Sequence, residues 1–205
     1  MNQSQALKHF RITRFVTLSV LAAVIVVLQL VASTIKIGPI SFTLVLIPIV
    51  VGAAFYGKGA GAFLGAVFGI MAFIGCVSGS DPYGNILFTA NPFFCFLICI
   101  GKGMLSGFCA GLVYRLVSGE KPSLGRSYVA SLLAALTAPI VNTGLFCLCL
   151  TLFYHDILVE WAGGTELMNY IMFGLVGVNF LVETSINLVC SPAINTIVRA
   201  VKKSI

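Results

Sequence analysis

Asn179-Phe-Leu-Val-Glu183-Thr-Ser-Ile-Asn187-Leu-Val-Cys-Ser191-Pro-Ala-Ile-Asn195 places a polar residue at every fourth position of an otherwise apolar run. Residues four apart share one face of a helix, so these side chains form a single polar stripe. In lipid, each of those groups would lack hydrogen-bond partners. The stripe therefore has to face other helices or a wet cavity. This pattern predicts a bundle of membrane helices with a polar interior.

Composition supports that reading. The chain has 205 residues, 59% of them hydrophobic and 9% charged, and its mean hydropathy is +1.07. Soluble domains carry about 25% charged residues. Every long stretch is apolar, which leaves no room for a soluble ATPase or catalytic domain, and residues 1–205 read as one membrane domain. The fold class expected is an all-α, six-transmembrane-helix bundle. Its spans are 13–33, 41–56, 60–76, 92–116, 128–152 and 169–198. The first run is long enough to span, and no small-residue cleavage site follows it, so it reads as a retained helix. Val77–Asn91, with Ser-Gly-Ser-Asp-Pro-Tyr-Gly-Asn inside it, reads as an irregular loop, and His155–Glu166 reads as another polar loop.

Lys and Arg set the orientation. With both termini cytoplasmic, the inner segments hold Lys8, Arg11, Arg14, Lys58, Arg115, Lys121, Arg126, Arg199, Lys202 and Lys203, and the outer segments hold only Lys36. Asp81, Asp156, Glu160 and Glu166 all fall outside. The net charge of +6 is thus a topology signal and does not point to nucleic acid. The outer loops are the longer ones, suited to covering a site reached from outside.

Two charges, Lys102 and Glu183, fall near the middle of apolar spans. Each costs about 2.5–3.5 kcal/mol on insertion scales, so such groups are paired, shielded or functional. At ~1.5 Å per residue, Lys102 and Asn179 each lie ~15 Å below the outer end, with Glu183 somewhat deeper. Asn142 reaches a similar depth beside Pro139. Lys102, Asn142, Asn179 and Glu183 can therefore converge at one level. Three readings stand: a buried ion pair fixing helix register, a ligand pocket lined by these groups, and a proton relay. Asp81, Asn85 and Asn91 could cover such a pocket, although Asp-Pro and Asn-Pro are also ordinary turn signals. His155 and Asp156 read as a solvated loop, and Tyr154 and Trp161 as interfacial anchors.

Other features read as packing. Gly61-x-x-x-Gly65-x-x-x-Gly69 is a small-residue stripe that lets helix backbones approach closely, and Ser19-x-x-x-Ala23 is a shorter one. The seven cysteines fall mostly in apolar runs and read as small hydrophobes, with a metal or redox role for Cys95–Cys99 or Cys147–Cys149 as the weaker option. No phosphate loop, His-Glu-x-x-His or Gly-x-Ser-x-Gly motif occurs, so neither ATP-driven work nor hydrolysis has its usual parts. No metal, cofactor or enzymatic activity is expected.

The chain resembles the substrate-binding S components of energy-coupling factor (ECF) vitamin transporters. The resemblance rests on the length, the six spans and the inside termini. It also rests on Ser41-Phe-Thr-Leu-Val-Leu-Ile-Pro-Ile-Val-Val-Gly-Ala53, Tyr56-Gly-Lys-Gly-Ala-Gly-Ala-Phe-Leu-Gly65, Ala138-Pro-Ile-Val-Asn-Thr143 and Asn179–Asn187. It implies a multi-pass protein of the bacterial cell membrane that binds a vitamin or related micronutrient from outside with high affinity. The bound subunit then associates with a membrane coupling subunit (the T component) and two cytoplasmic ATPases, and topples to release its cargo inside. An Ala-x-x-x-Ala pattern on the first helix meets the coupling subunit in this family. Ser19 and Ala23 match it here, with Ser for the first Ala. The resemblance is strongest to the group that includes pantothenate carriers, and the positive Lys102 suits a small carboxylate ligand. Folate, riboflavin and a queuosine precursor remain open. The substrate-binding set expected from the reading of the residues themselves is Lys102, Asn142, Asn179, Glu183, Asp81 and Asn91. The competing function is a self-sufficient proton-coupled carrier or channel.

Overall fold

The computed structural model describes the backbone of residues 3–34, 36–37, 40–41, 44–119 and 123–204, and side chains at 5, 11–32, 44–119, 123–177 and 179–196. Parts of the expected first outer loop, of the linker at 118–126 and of the basic C-terminal tail lie outside the described residues, as do the side chains of Lys8, Lys36, Lys121, Arg199, Lys202 and Lys203. Among the described residues the chain is almost entirely helical. Its elements are α1 (Gln3–Thr34), the two-residue strands β1 (Lys36–Ile37) and β2 (Ile40–Ser41), α2 (Leu46–Tyr56), α3 (Lys58–Ser78), α4 (Pro82–Ala90), α5 (Pro92–Ser118), α6 (Leu124–Phe153), α7 (His155–Ala162), α8 (Leu167–Asn169), a π-helical turn (Tyr170–Leu175) and α9 (Gly177–Ser204). β1 and β2 pair antiparallel, Lys36 opposite Ser41.

Four described helices are long and apolar enough to cross a bilayer: Arg11–Ala32 within α1, then α3, α5 and α6. A fifth passes if Leu167–Leu175 and Asn179–Thr196 are taken as one span bent by 48°. Among the described residues, the second expected span, 41–56, holds the 11 helical residues of α2, about 16 Å of helix. Its faces are nearly all buried, Leu46, Ile49 and Val50 completely. Arg14 lies 5.9 Å from the centre of the Tyr56 ring, so the start of α1 and the end of α2 share one end of the bundle.

α3 and α5 pack antiparallel along facing glycine seams. A Cβ on Gly61 would strike the Gly107 carbonyl, one on Gly65 the Gly103 carbonyl, and one on Gly69 would come within 2.5 Å of the Cys99 carbonyl. The seam continues to Gly111, where a Cβ would lie 2.7 Å from Lys58 Cα. Without side chains between them the two backbones touch, which is the packing the glycine spacing predicts.

Two expected loops are helical. Asp81 and Asn91 each cap a helix: Asp81 Oδ1 accepts from Gly84 N at 3.2 Å, and Asn91 Oδ1 accepts from Phe94 N at 3.2 Å. In both cases Pro follows at the first helical position, where its missing N–H costs nothing. Asp-Pro and Asn-Pro were thus helix starts, and Val77–Asn91 holds α4 where an irregular loop was expected. His155–Glu166 likewise holds α7. The sixth span is also not one straight helix. The turn Tyr170–Leu175 is π-wound, and a Cβ on Gly177 would strike the Met172 carbonyl. Only glycine allows that approach, and the axis bends there.

The polar stripe faces inward. Glu183, Asn187, Ser191 and Asn195 are all buried. Ser127 Oγ of α6 donates to Asn195 Oδ1 at 2.8 Å, and Asn187 Nδ2 donates to the Glu183 carbonyl at 2.8 Å. Ser106 of α5 donates to the Ala138 carbonyl of α6 at 2.8 Å, beside Pro139. Polar groups thereby tie α5, α6 and α9 where lipid-like side chains give no directional contact.

Candidate functional site

A cavity of about 360 Å³ opens where α3 ends and α5 begins. Met71, Ala72 and Cys76 reach it from α3, Asp81, Tyr83 and Leu87 from the region of α4, and Cys95, Ile98, Cys99 and Lys102 from α5. Asn142, Thr143 and Phe146 of α6, Trp161 of α7, Leu175 of the π-turn, Val176, and Asn179 and Glu183 of α9 complete the far wall, and Gln29 of α1 closes one side. The volume falls within the roughly 300–1,000 Å³ of small-molecule pockets. Most of the lining is apolar, with a few polar groups converging on it.

Of the residues singled out from sequence, Lys102, Asn142, Asn179, Glu183 and Asp81 line this one cavity. Spacing explains why they meet. Lys102 follows Cys95 and Cys99 on one face of α5, and Glu183 follows Asn179 by one turn of α9. The Lys102 ammonium lies 4.6 Å from the centre of the Phe146 ring, a cation–π contact that holds the charge at the wall while leaving it able to meet an anion. Glu183 is 8% exposed. Asn91 is not part of the lining. Its side chain caps α5, and its carbonyl accepts from Tyr154 Oη at 2.7 Å.

Asn142 carries the most direct sign of a missing partner. It is 7% exposed, and its Oδ1 is buried without a hydrogen-bond partner among the described residues. A buried acceptor left unmade costs about 1–3 kcal/mol, so a site that holds one open is suited to a donor from outside the chain. Gln29 Oε1 is in the same condition. Sequence reasoning missed Gln29. It is a lone amide in the apolar run of α1, and that isolation was the available signal.

Trp161 and Tyr154 differ from the expected interfacial anchors. Trp161 lines the cavity and packs edge-on against Tyr83 with ring centres 5.1 Å apart. Tyr154 is buried and locks the end of α6 to the start of α5 through its bond to Asn91. Aromatic side chains suit both settings, and only the placement of α4 and α7 decides between them. Ser19 and Ala23 are not among the cavity lining and lie on an exposed strip of α1 shared with Phe15, Val16, Val20 and Val27.

Three cysteines also meet at the cavity wall. The sulfurs of Cys76, Cys95 and Cys99 all lie within 4.8 Å of one another, and all three residues are buried. Cys76 Sγ and Cys99 Sγ are 3.9 Å apart.

The sequence pattern of the family described as "ECF transporter, substrate-specific component" matches residues 13–195. The chain is also 26% identical over 184 residues to the pantothenic acid transporter PanT of Lactococcus lactis subsp. cremoris (strain MG1363), an alignment covering 86% of this chain and 89% of the relative.

Proposed function

Because the chain belongs to the family of ECF transporter substrate-specific components, we propose that it captures pantothenate, or a closely similar small hydroxy-carboxylate, from outside the cell with high affinity. The observation that carries this reading is the unpartnered Asn142 Oδ1 on the wall of the same cavity as the Lys102 ammonium. A ligand with a carboxylate at one end and hydroxyl or amide N–H donors along its length matches that pairing. Lys102 takes the carboxylate. Asn142 Oδ1, Gln29 Oε1 and the Glu183 carboxylate accept from the ligand's donors, and Asn179 supplies a further amide. Asp81 stands at the mouth as the cap of α4. The name of the Lactococcus relative supports pantothenate.

The cargo is then passed on with the help of a T component and two ATPases. The exposed small-residue strip of α1 at Ser19 and Ala23 is the face offered to the T component. Both termini are cytoplasmic and the chain makes six passes, the second formed by α2 and the residues before it. The proximity of Arg14 to Tyr56 supports this, as it brings α2 back to the end where α1 began. Lys58 and Arg126 belong to that same basic end.

Trp161 is the only tryptophan and lines the cavity, so its fluorescence reports occupancy. Purified protein in detergent is titrated with a panel of vitamins, and thermal unfolding is followed in parallel. Ligand at a thousandfold excess over Kd stabilises by about 4 kcal/mol. Pantothenate alone should shift both signals. A shift by a different vitamin would reassign the cargo. Turnover in liposomes by this chain alone, driven by a pH gradient, would replace the binding-subunit reading with a self-sufficient carrier.

A further inference from the structure

We propose that Cys76, Cys95 and Cys99 form a thiolate site for a thiophilic d¹⁰ divalent cation of the zinc class, built into the cavity wall. The inference stands apart from the vitamin reading and holds whichever organic ligand the cavity takes.

Geometry carries it. With metal–sulfur bonds of about 2.3 Å, three sulfurs around one ion lie roughly 3.8–4.0 Å from each other, depending on whether the site is tetrahedral or planar. The Cys76–Cys99 separation is 3.9 Å, and all three sulfurs fall within 4.8 Å of one another. The trio is held by the fold. Cys95 and Cys99 are one turn apart on α5, and the glycine seam brings α3 so close at Gly69 and Cys99 that Cys76 arrives alongside them. The Cys76 sulfur rests against Gly84, whose carbonyl lies 4.0 Å from Cys95 Sγ. Ordinary packing asks only for small apolar groups here and gives no reason for three sulfurs to converge on one point.

Charge and access fit as well. All three residues line the cavity, so a fourth coordination position opens toward it, as in zinc sites that keep an exchangeable ligand. Binding a divalent ion releases three thiol protons and leaves one net negative charge, and Lys102 on the same face of α5 offsets it. Soft thiolates select zinc-class and cuprous ions over magnesium or calcium.

The test uses Cd²⁺ on the reduced full-length protein in detergent, read by its ultraviolet thiolate-to-metal charge-transfer band. One ion per chain should bind saturably, with the intensity of a three-thiolate site. A chain with Cys109, Cys147, Cys149 and Cys190 changed to Ala should keep the whole band. Cys76→Ser, Cys95→Ser and Cys99→Ser should each lose one thiolate's share. No band in the chain that keeps only the trio, or a band that survives loss of all three, would overturn the proposal.

Discussion

Gly65→Ala adds one methyl group at the tightest point between α3 and α5, and its cost can be worked from the backbone. The new Cβ would lie 2.5 Å from the Gly103 carbonyl carbon and 3.0 Å from Met104 N. Carbon atoms in contact sit about 3.5–4.0 Å apart, so the helices must separate by about 1 Å locally. The obstacle is backbone on both sides and no rotamer change relieves it. Overpacking of this kind costs about 1–3 kcal/mol. For a chain of this size, 1 kcal/mol shifts the melting point by about 2–4 °C, so Tm in detergent should fall by roughly 2–12 °C. Gly144→Ala is the control, because a Cβ there meets nothing within 4 Å among the described residues. It should be neutral or slightly stabilising, since Ala favours helix over Gly by about 0.5–1 kcal/mol. Gly103→Ala, the reciprocal partner, should behave like Gly65→Ala, and the double variant should cost less than the sum, because the first separation makes room for the second methyl. Equal melting points for Gly65→Ala and Gly144→Ala, or strict additivity of the pair, would refute the close-contact account.

Lys102→Ala should weaken pantothenate binding by about 10–150-fold, the loss of one charged hydrogen bond worth about 1.5–3 kcal/mol, while the protein stays inserted and folded; Trp161 fluorescence titration checks this. Asn142→Ala should leave the melting point of the empty protein unchanged or raised, since its oxygen has no partner among the described residues, yet reduce the ligand-induced shift. A lowered melting point for the empty protein would show that Asn142 serves the bundle. Ser127→Ala removes the donor to Asn195 Oδ1 and should cost about 1–3 kcal/mol in thermal melts with Kd unchanged, because neither residue lines the cavity. Ser19→Trp and Ala23→Trp should spare ligand binding and block assembly with the T component in pull-downs; assembly at wild-type levels would assign the coupling face elsewhere.

The likeness to ECF substrate-binding components rested on quoted segments such as Ala138–Thr143 and Asn179–Asn187, whereas the helical membrane fold was readable because lipid imposes simple rules. Long apolar runs become helices, glycines at every fourth position become contacts, and a polar stripe must turn inward. Those rules located the glycine face of α3 and the buried face of α9, while the pairing of that glycine face with α5 came from the fold. They also picked Lys102, Asn142, Asn179, Glu183 and Asp81, which the fold brings to one cavity. Asn91 shows the limit of the same reasoning. A cap and a pocket ligand draw on the same residue type, and the Asp-Pro and Asn-Pro signals were compatible with both a turn and a helix start.

The sequence by itself therefore determined the membrane setting, the helix periodicity and the polar faces, because each depends on neighbours within a turn or two and on the solvent. Tertiary structure decided the rest. The bend at Val176, the partnering of Tyr154 with Asn91, the entry of Gln29 and Trp161 into the cavity and the meeting of three cysteines from α3 and α5 all depend on contacts between residues distant in the chain. The physical reason is that close backbone approach, set by glycines on two different helices, fixes which side chains share a space, and no periodicity within one helix carries that information.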